Sequence, residues 1–136
     1  MSKILKKLNT ADADVQDRLY NYVCKVLKWL DGDTLEVEID MGFEVYARKK
    51  VRVYGINARE VHSKDPNEKS MGIKATLFAQ SIAPVSGYVL IKSHKANKEQ
   101  EKFGRWLADI RLADGRDFAT VMKDQGYAVP YFGGKR

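Results

Sequence analysis

The sequence predicts a mainly β, α+β domain: a small closed barrel of five strands with two or three helices packed on it. Three observations carry this. Apolar and polar residues alternate with a period of two through Leu35, Val37, Ile39 and Met41, marking a strand with one buried face. The order of segments reads three strands, helix, strand, strand, helix. Short strands in such a run must close on themselves or cover their edges.

The chain reads as strand from Tyr22, and the second strand sets Leu35 to Met41 against Glu36, Glu38 and Asp40. Gly42 interrupts, and a third strand from about Glu44 to Ile56 completes a hairpin. In it Val45, Ala47, Val51 and Val53 share one parity, and Arg48, Lys50, Arg52 and Tyr54 the other, which gathers positive side chains on one face. Lys49 falls on the apolar parity, so a bulge or twist is expected there. Val61 to Glu68 is polar, contains Pro66 and reads as a loop. Ile73, Ala75, Leu77, Phe78 and Ile82 then recur at helical spacing as far as Pro84, in a helix starting near Glu68 or Lys69. Tyr88 to Lys92 is a short strand, Ser93 to Gly104 a basic loop, and Trp106 to Leu112 a strand ended by Asp114-Gly115. Asp117 caps a short helix carrying Phe118, Val121 and Met122, stopped by Gly126. Five strands with a helix between the third and fourth suit the OB type of barrel. Residues 1–20 form an arm or a short helix, 21–136 the barrel domain, and the compact ending from Val129 suggests that the chain stops once the fold is complete.

At 136 residues the chain fits one domain, and 44% hydrophobic with 31% charged residues is the balance of a soluble globular protein. No apolar run approaches the roughly 20 residues that a bilayer crossing needs. Met1 to Leu8 lack an h-region, so a cytoplasmic protein is expected unless a leader was removed. The lone Cys24 excludes an internal disulfide and a cysteine-rich zinc module, and is expected as a buried strand thiol in a reducing compartment. A net charge of +6 favours a polyanionic partner. The charge concentrates in Arg48, Lys49, Lys50 and Arg52, and in Lys92, Lys95, Lys98, Lys102 and Arg105. There is no internal repeat, and a monomer is expected.

The chemistry concentrates in Asp31-Gly32-Asp33-Thr34 and in the segment from Arg52 to Glu60. If the second and third strands form a hairpin, Asp33 and Asn57 return to the same end of the barrel. Asp33 offers a carboxylate, Asn57 a side-chain carbonyl and Ala58 a backbone carbonyl, all hard oxygens of the kind calcium accepts. Zinc is a poor match, since His62 and His94 are the only histidines and no cysteine is near either. Each residue also has a plainer role open to it: Asp31 and Asp33 as turn caps, Arg52 paired with a nearby acid, Arg105 following the turn residue Gly104, Glu60 an exposed loop acid. Trp29, Trp106, Tyr46 and Tyr54 read as packing aromatics rather than a stacking platform, His62 as an exposed loop residue, and Phe132 equally as core or surface.

From about Tyr22 to Tyr131 the chain resembles the staphylococcal nuclease (thermonuclease) family. The resemblance rests on Asp31-Gly32-Asp33-Thr34, Arg52 with Gly55-Ile56-Asn57-Ala58-Arg59-Glu60, Lys102-Phe103-Gly104-Arg105, and Gly126-Tyr127-Ala128. It implies an OB barrel that cuts DNA or RNA with calcium and little sequence preference, leaving a 3′-phosphate and a 5′-hydroxyl, with single strands favoured. By resemblance Asp33 ligates the metal, Asp31 stands in its outer shell and Ala58 gives its backbone carbonyl. Asn57 stands where the family usually has a ligating aspartate, which removes one negative charge and weakens the expected calcium affinity. Arg59 stands where a proline is common, and Phe103 where tyrosine is common.

The implied roles suit the side chains. Glu60 would act as general base on the attacking water, and Arg52 and Arg105 would hold the phosphate and stabilise charge on its equatorial oxygens. Lys102 would hold a neighbouring phosphate, with Phe103 and Tyr131 against a nucleotide. The alternatives are a barrel of the same family that binds nucleic acid with weakened or lost catalysis, and a metal-free binder of single strands.

Overall fold

The computed structural model describes residues 18–94 and 104–132. Among these residues nine elements follow in order: β1 (Asn21–Asp31), β2 (Thr34–Asp40), β3 (Tyr46–Val53), β4 (Gly55–Ala58), α1 (Pro66–Ile82), β5 (Tyr88–Ser93), β6 (Trp106–Arg111), α2 (Phe118–Asp124) and β7 (Ala128–Tyr131). Five strands close into a barrel in the order β1-β2-β3-β6-β5, with β1 and β5 antiparallel at the seam and β3 and β6 parallel. This is the mainly β, OB-like barrel that the segment order predicts, with two helices among the described residues. No described helix is long and apolar enough to cross a membrane.

Alternation builds the interior. Val26, Leu35, Val37, Val51, Val53, Ile91 and Ile110 point inward and are at most 3% exposed. Cys24 is buried among them, and burial, with Asp40 nearby, pushes its thiol up to about 12, so it packs as an inert apolar group. One end of the barrel is closed by Trp29, whose indole N–H donates to the Ala83 carbonyl at 2.8 Å and whose ring stacks on Phe118 at 5.1 Å. That single side chain ties the end of β1 to the end of α1 and the start of α2.

Both helices begin on an aspartate. The Asp65 carboxylate accepts from the Asn67 amide and the Asp117 carboxylate from the Thr120 amide. α1 therefore starts at Pro66 rather than near Glu68 or Lys69, because proline fits the first helical position, where its missing N–H costs nothing. Its inward face is Gly72, Ala75 and Ala79, with Phe78 and Ile82 half-buried, while Ile73 and Leu77 are exposed.

The long third strand divides in two. β3 ends at Val53, and Gly55, at φ +88°, redirects the chain into β4. β4 leaves the barrel to pair with β7, Ile56 against Pro130 and Ala58 against Ala128. β7 was not legible as a strand, since Val129-Pro130-Tyr131 has no period of its own and gains its hydrogen bonds only from β4. The pairing of Val37 with Lys49 is regular. The irregularities lie in β1, between Val26 and Lys28 and between Trp29 and Asp31. Lys49 needs no bulge because β6 pairs only Val51 to Val53, which leaves its ammonium free to lie over the Trp106 ring at 5.8 Å. Met41 and Val45 are exposed at the hairpin tip, and the expected all-positive outer face of β3 is broken by Arg52, which is 1% exposed.

Phe118 is fully buried and stacked on Trp29. Truncating it (Phe118→Ala) should cost about 3–5 kcal/mol of unfolding free energy in urea titrations; a loss under 1 kcal/mol would mean that this end of the barrel is packed otherwise.

Candidate active site

The β1–β2 turn lies where β4, α1 and α2 meet. A Cβ at Gly32 would stand 3.0 Å from the Ala58 Cβ, 3.2 Å from the Met122 Cε and 3.3 Å from the Ala75 Cβ, so a larger residue would push the flanking acids away from β4. The Asp31 carboxylate accepts from the Asp33 amide at 2.9 Å, which fixes the turn.

Asp33 is the centre of the arrangement and is 4% exposed. Its Oδ2 accepts from the Ala58 amide at 2.8 Å and pairs with the Arg52 Nη1 at 3.2 Å, while its Oδ1 accepts from the Thr34 hydroxyl at 3.1 Å. Arg52 also donates through Nη2 to the Ile56 carbonyl at 3.2 Å, and its guanidinium lies 5.6 Å from the centre of the Tyr131 ring. Arg105 reaches the same cluster, its Nη1 donating to the Thr34 hydroxyl at 3.4 Å. One threonine hydroxyl thus links Arg105 to Asp33.

The acids perturb one another. Burial, then the hydrogen bond and charge of Asp33, and then the charge of Glu60 push Asp31 up to about 7. Asp33 moves the other way: burial opposes its ionisation, but the hydrogen bond with Asp31, the Arg52 charge, the Ala58 amide and the Thr34 hydroxyl hold it below the usual carboxylate range. Of the two, Asp31 is the one that holds its proton more readily.

Glu60 owes its place to α1. The Glu60 and Val61 backbone lies against the helix at Gly72, where a Cβ would come within 2.5 Å of the Glu60 carbonyl. Glu68 in the first turn accepts from the Arg59 Nη1 at 2.9 Å and from the Glu60 amide at 3.4 Å, and the Glu60 carboxylate accepts from the His62 amide at 3.0 Å. Neither Gly72 nor Glu68, the latter expected only near the helix start, is marked by the sequence pattern as part of the site, although a glycine inside a helical pattern is a signal of close packing.

Asp31, Asp33, Arg52, Arg105 and Tyr131 therefore converge, with Glu60 close enough to act on Asp31. Ala58 meets Asp33 through its amide N–H, and Asn57 is half-buried beside it on β4. Lys102 and Phe103 lie outside the described residues. His62 is exposed. Two contacts were not anticipated: His94 is held by Asp109 at 2.9 Å, and its ring stacks on Tyr54 at 4.2 Å. Tyr54 in turn meets the edge of the exposed Phe132.

Two outcomes follow from this geometry. A free aspartate loses its proton near 3.8 but folded Asp31 keeps it to about 7, so stability falls as pH rises through that window. In Asp31→Asn this loss should vanish: melting curves of the variant and the parent should separate between about pH 4 and pH 7, with the variant the more stable, and parallel curves would show that Asp31 does not hold its proton in the fold. Gly72→Ala should destabilise the fold by about 1–3 kcal/mol despite alanine's better helix propensity, because the new methyl displaces the Glu60 turn. An unchanged or raised urea midpoint would show that the turn is not held by this contact.

No protein-family model matches the chain. It is similar to an uncharacterized protein of Methanocaldococcus jannaschii, 28% identical over 130 residues, covering 82% of this chain and 60% of that protein. It is also similar to an uncharacterized lipoprotein of Mycoplasma genitalium, 31% identical over 117 residues, covering 80% of this chain and 45% of that protein. The chain spans about half the length of these curated relatives.

Proposed function

We propose that the chain is a metal-dependent nuclease of the staphylococcal nuclease type, hydrolysing phosphodiester bonds of DNA or RNA. The observation that carries this reading is the meeting of two acids and two arginines: Asp31 accepts from the Asp33 amide, Arg52 pairs with Asp33, and the Thr34 hydroxyl links Asp33 to Arg105.

The donors suit calcium. Asp31, Asp33, the Asn57 amide oxygen and the Ala58 carbonyl are hard oxygens, and a divalent cation would offset the burial and the neighbouring negative charge that push Asp31 up. Among the described residues no three acidic, histidine or cysteine side chains gather closely enough to form a cage by themselves, so the amide and backbone oxygens and water must complete the shell. When bound, the ion would supply Lewis-acid polarisation of a phosphate oxygen.

The chain's own groups do the rest in this reading. Glu60, exposed and fixed by its turn, takes a proton from the attacking water. Arg105, on the rim of the cluster, donates to the phosphate oxygens as charge gathers on them. Arg52 does the same once the phosphate competes with Asp33 for its guanidinium, and Tyr131 covers that guanidinium from one side. The binding module without catalysis is the second reading, and the buried Asp33–Arg52 pair favours it, since an arginine satisfied by Asp33 and Ile56 is already occupied. In this reading the protein acts in the cytoplasm, although the Mycoplasma genitalium relative is named a lipoprotein.

The test is digestion of single-stranded DNA with millimolar calcium and with EGTA. Cleavage should require calcium and fall about 100-fold or more in Glu60→Gln and in Arg105→Ala. Cutting that survives EGTA or both substitutions would remove the nuclease reading.

A further inference from the structure

The β2–β3 hairpin outruns the core. β2 starts at Thr34, beside the Asp33 cluster, and ends at Asp40, so the tip stands a strand's length, about 20 Å, from that cluster. Met41 and Val45 continue the inward parity of Ile39 and Ala47 but are exposed, and Phe43 between them is 99% exposed. The Val45 amide donates to the Gly42 carbonyl at 3.0 Å, and the two residues inside that turn, Phe43 and Glu44, have φ of +54° and +61°. Asparagine and glycine are the residues such a turn prefers. A phenylalanine here disfavours the fold twice, by its left-handed backbone and by the ring it leaves in water.

Set back from the tip is a cavity of about 210 Å³ lined by Val23, Lys25, Glu38, Asp40, Tyr46 and Tyr88. Tyr46 stands across from Asp40, and Lys25 stands between Tyr88 on β5 and Glu38 on β2. Both tyrosines are exposed, so their rings form open walls. Two aromatic walls with two carboxylates suit an organic ammonium, and the Lys25 ammonium suits a phosphate beside it. A zwitterionic phospholipid head group carries both charges a few bonds apart. Tyr46 lies three residues from Phe43, about 10 Å along the strand. That offset matches the depth, roughly 5–10 Å, to which an interfacial apolar group enters a bilayer.

We propose that this tip anchors the protein to the surface of a zwitterionic bilayer: Phe43, with Met41 and Val45, enters the acyl boundary, and the Tyr46–Tyr88 cavity takes one head group, its ammonium against the rings, Glu38 and Asp40, its phosphate against Lys25. The local charges decide the partner. Glu38, Asp40 and Glu44 outnumber Lys25 around the tip and cavity, and Arg48, the next cation along β3, is paired with Glu36 at 3.4 Å. An anionic bilayer is therefore repelled at this end despite the net charge of +6, and a second copy across a two-fold axis would set the same acids against themselves. The inference does not rest on the nuclease reading.

The experiment is co-sedimentation with phosphatidylcholine vesicles and with phosphatidylglycerol vesicles at low and high salt, joined to the fluorescence of Phe43→Trp. Phosphatidylcholine vesicles should be bound, and high salt should not release the protein. Phe43→Asn should bind them about tenfold or more weakly with an unchanged or raised urea midpoint, since asparagine suits the turn. Tyr88→Ala should bind about fivefold more weakly, while Leu77→Ser, which removes another exposed apolar side chain, on α1, should bind as the parent does. The emission of Phe43→Trp should shift to the blue on these vesicles and be quenched by brominated acyl chains. Binding that needs phosphatidylglycerol, that persists in Phe43→Asn, or that leaves the Phe43→Trp emission unmoved would overturn the anchor. Full binding by Tyr88→Ala would overturn the head-group site, and a dimer in sedimentation velocity that dissociates in Phe43→Asn would give the tip to a second copy instead.

Discussion

The buried pair of Asp33 and Arg52 is the constraint around which the rest of the site is arranged. Two ions at 4% and 1% exposure lose most of their hydration, and their attraction repays that only if the remaining lone pairs and protons find partners. Here they do. The Ala58 amide and Thr34 hydroxyl complete Asp33, while the Ile56 carbonyl and Tyr131 ring complete Arg52. Those partners come from β2, β4 and β7, so the pair fixes the place where β4 leaves the barrel and takes up β7.

Around this fixed pair the remaining charges are left in tension. Burial, then the hydrogen bond and charge of Asp33, and last the charge of Glu60 make Asp31 hard to ionise. Arg105 reaches the cluster by donating to the Thr34 hydroxyl. Such an arrangement favours whatever brings positive charge to the acids or negative charge to the arginines, and a metal ion with a phosphate does both. The two readings of the chain differ in one physical quantity, the ease with which Arg52 exchanges Asp33 for a phosphate oxygen.

Precision at the site comes from elements that carry none of its chemistry. Gly72 allows the Glu60 backbone to lie on α1, Glu68 holds the turn by two hydrogen bonds, and Gly32 lets β4 approach the acids. Trp29 anchors the helices that make those approaches possible. The outer face of the sheet is different in kind: its rows of opposed charges need no burial, so they stay open to solvent.

Much of this was legible in the residues themselves. Local alternation is enough to fix β2, β5 and β6, because one buried face imposes a period of two on each, and Asp117 marks α2 because a cap acts within three residues. The neighbourhood of Asp33 and Ala58 also follows from sequence, since a hairpin must return its ends together. Tertiary structure alone decided what depends on distant partners: β7, which has no pattern until β4 pairs with it; the split of β3 at Tyr54; the start of α1 at Pro66, where a proline that reads as a loop residue sits in the first turn; and the burial of Arg52 on a parity that its neighbours Arg48 and Lys50 spend in solvent. The physical reason is the same throughout. Periodicity reports which face of a segment avoids water, whereas the partner of a buried charge, a short strand or a helix glycine is chosen by chain that lies far away in sequence.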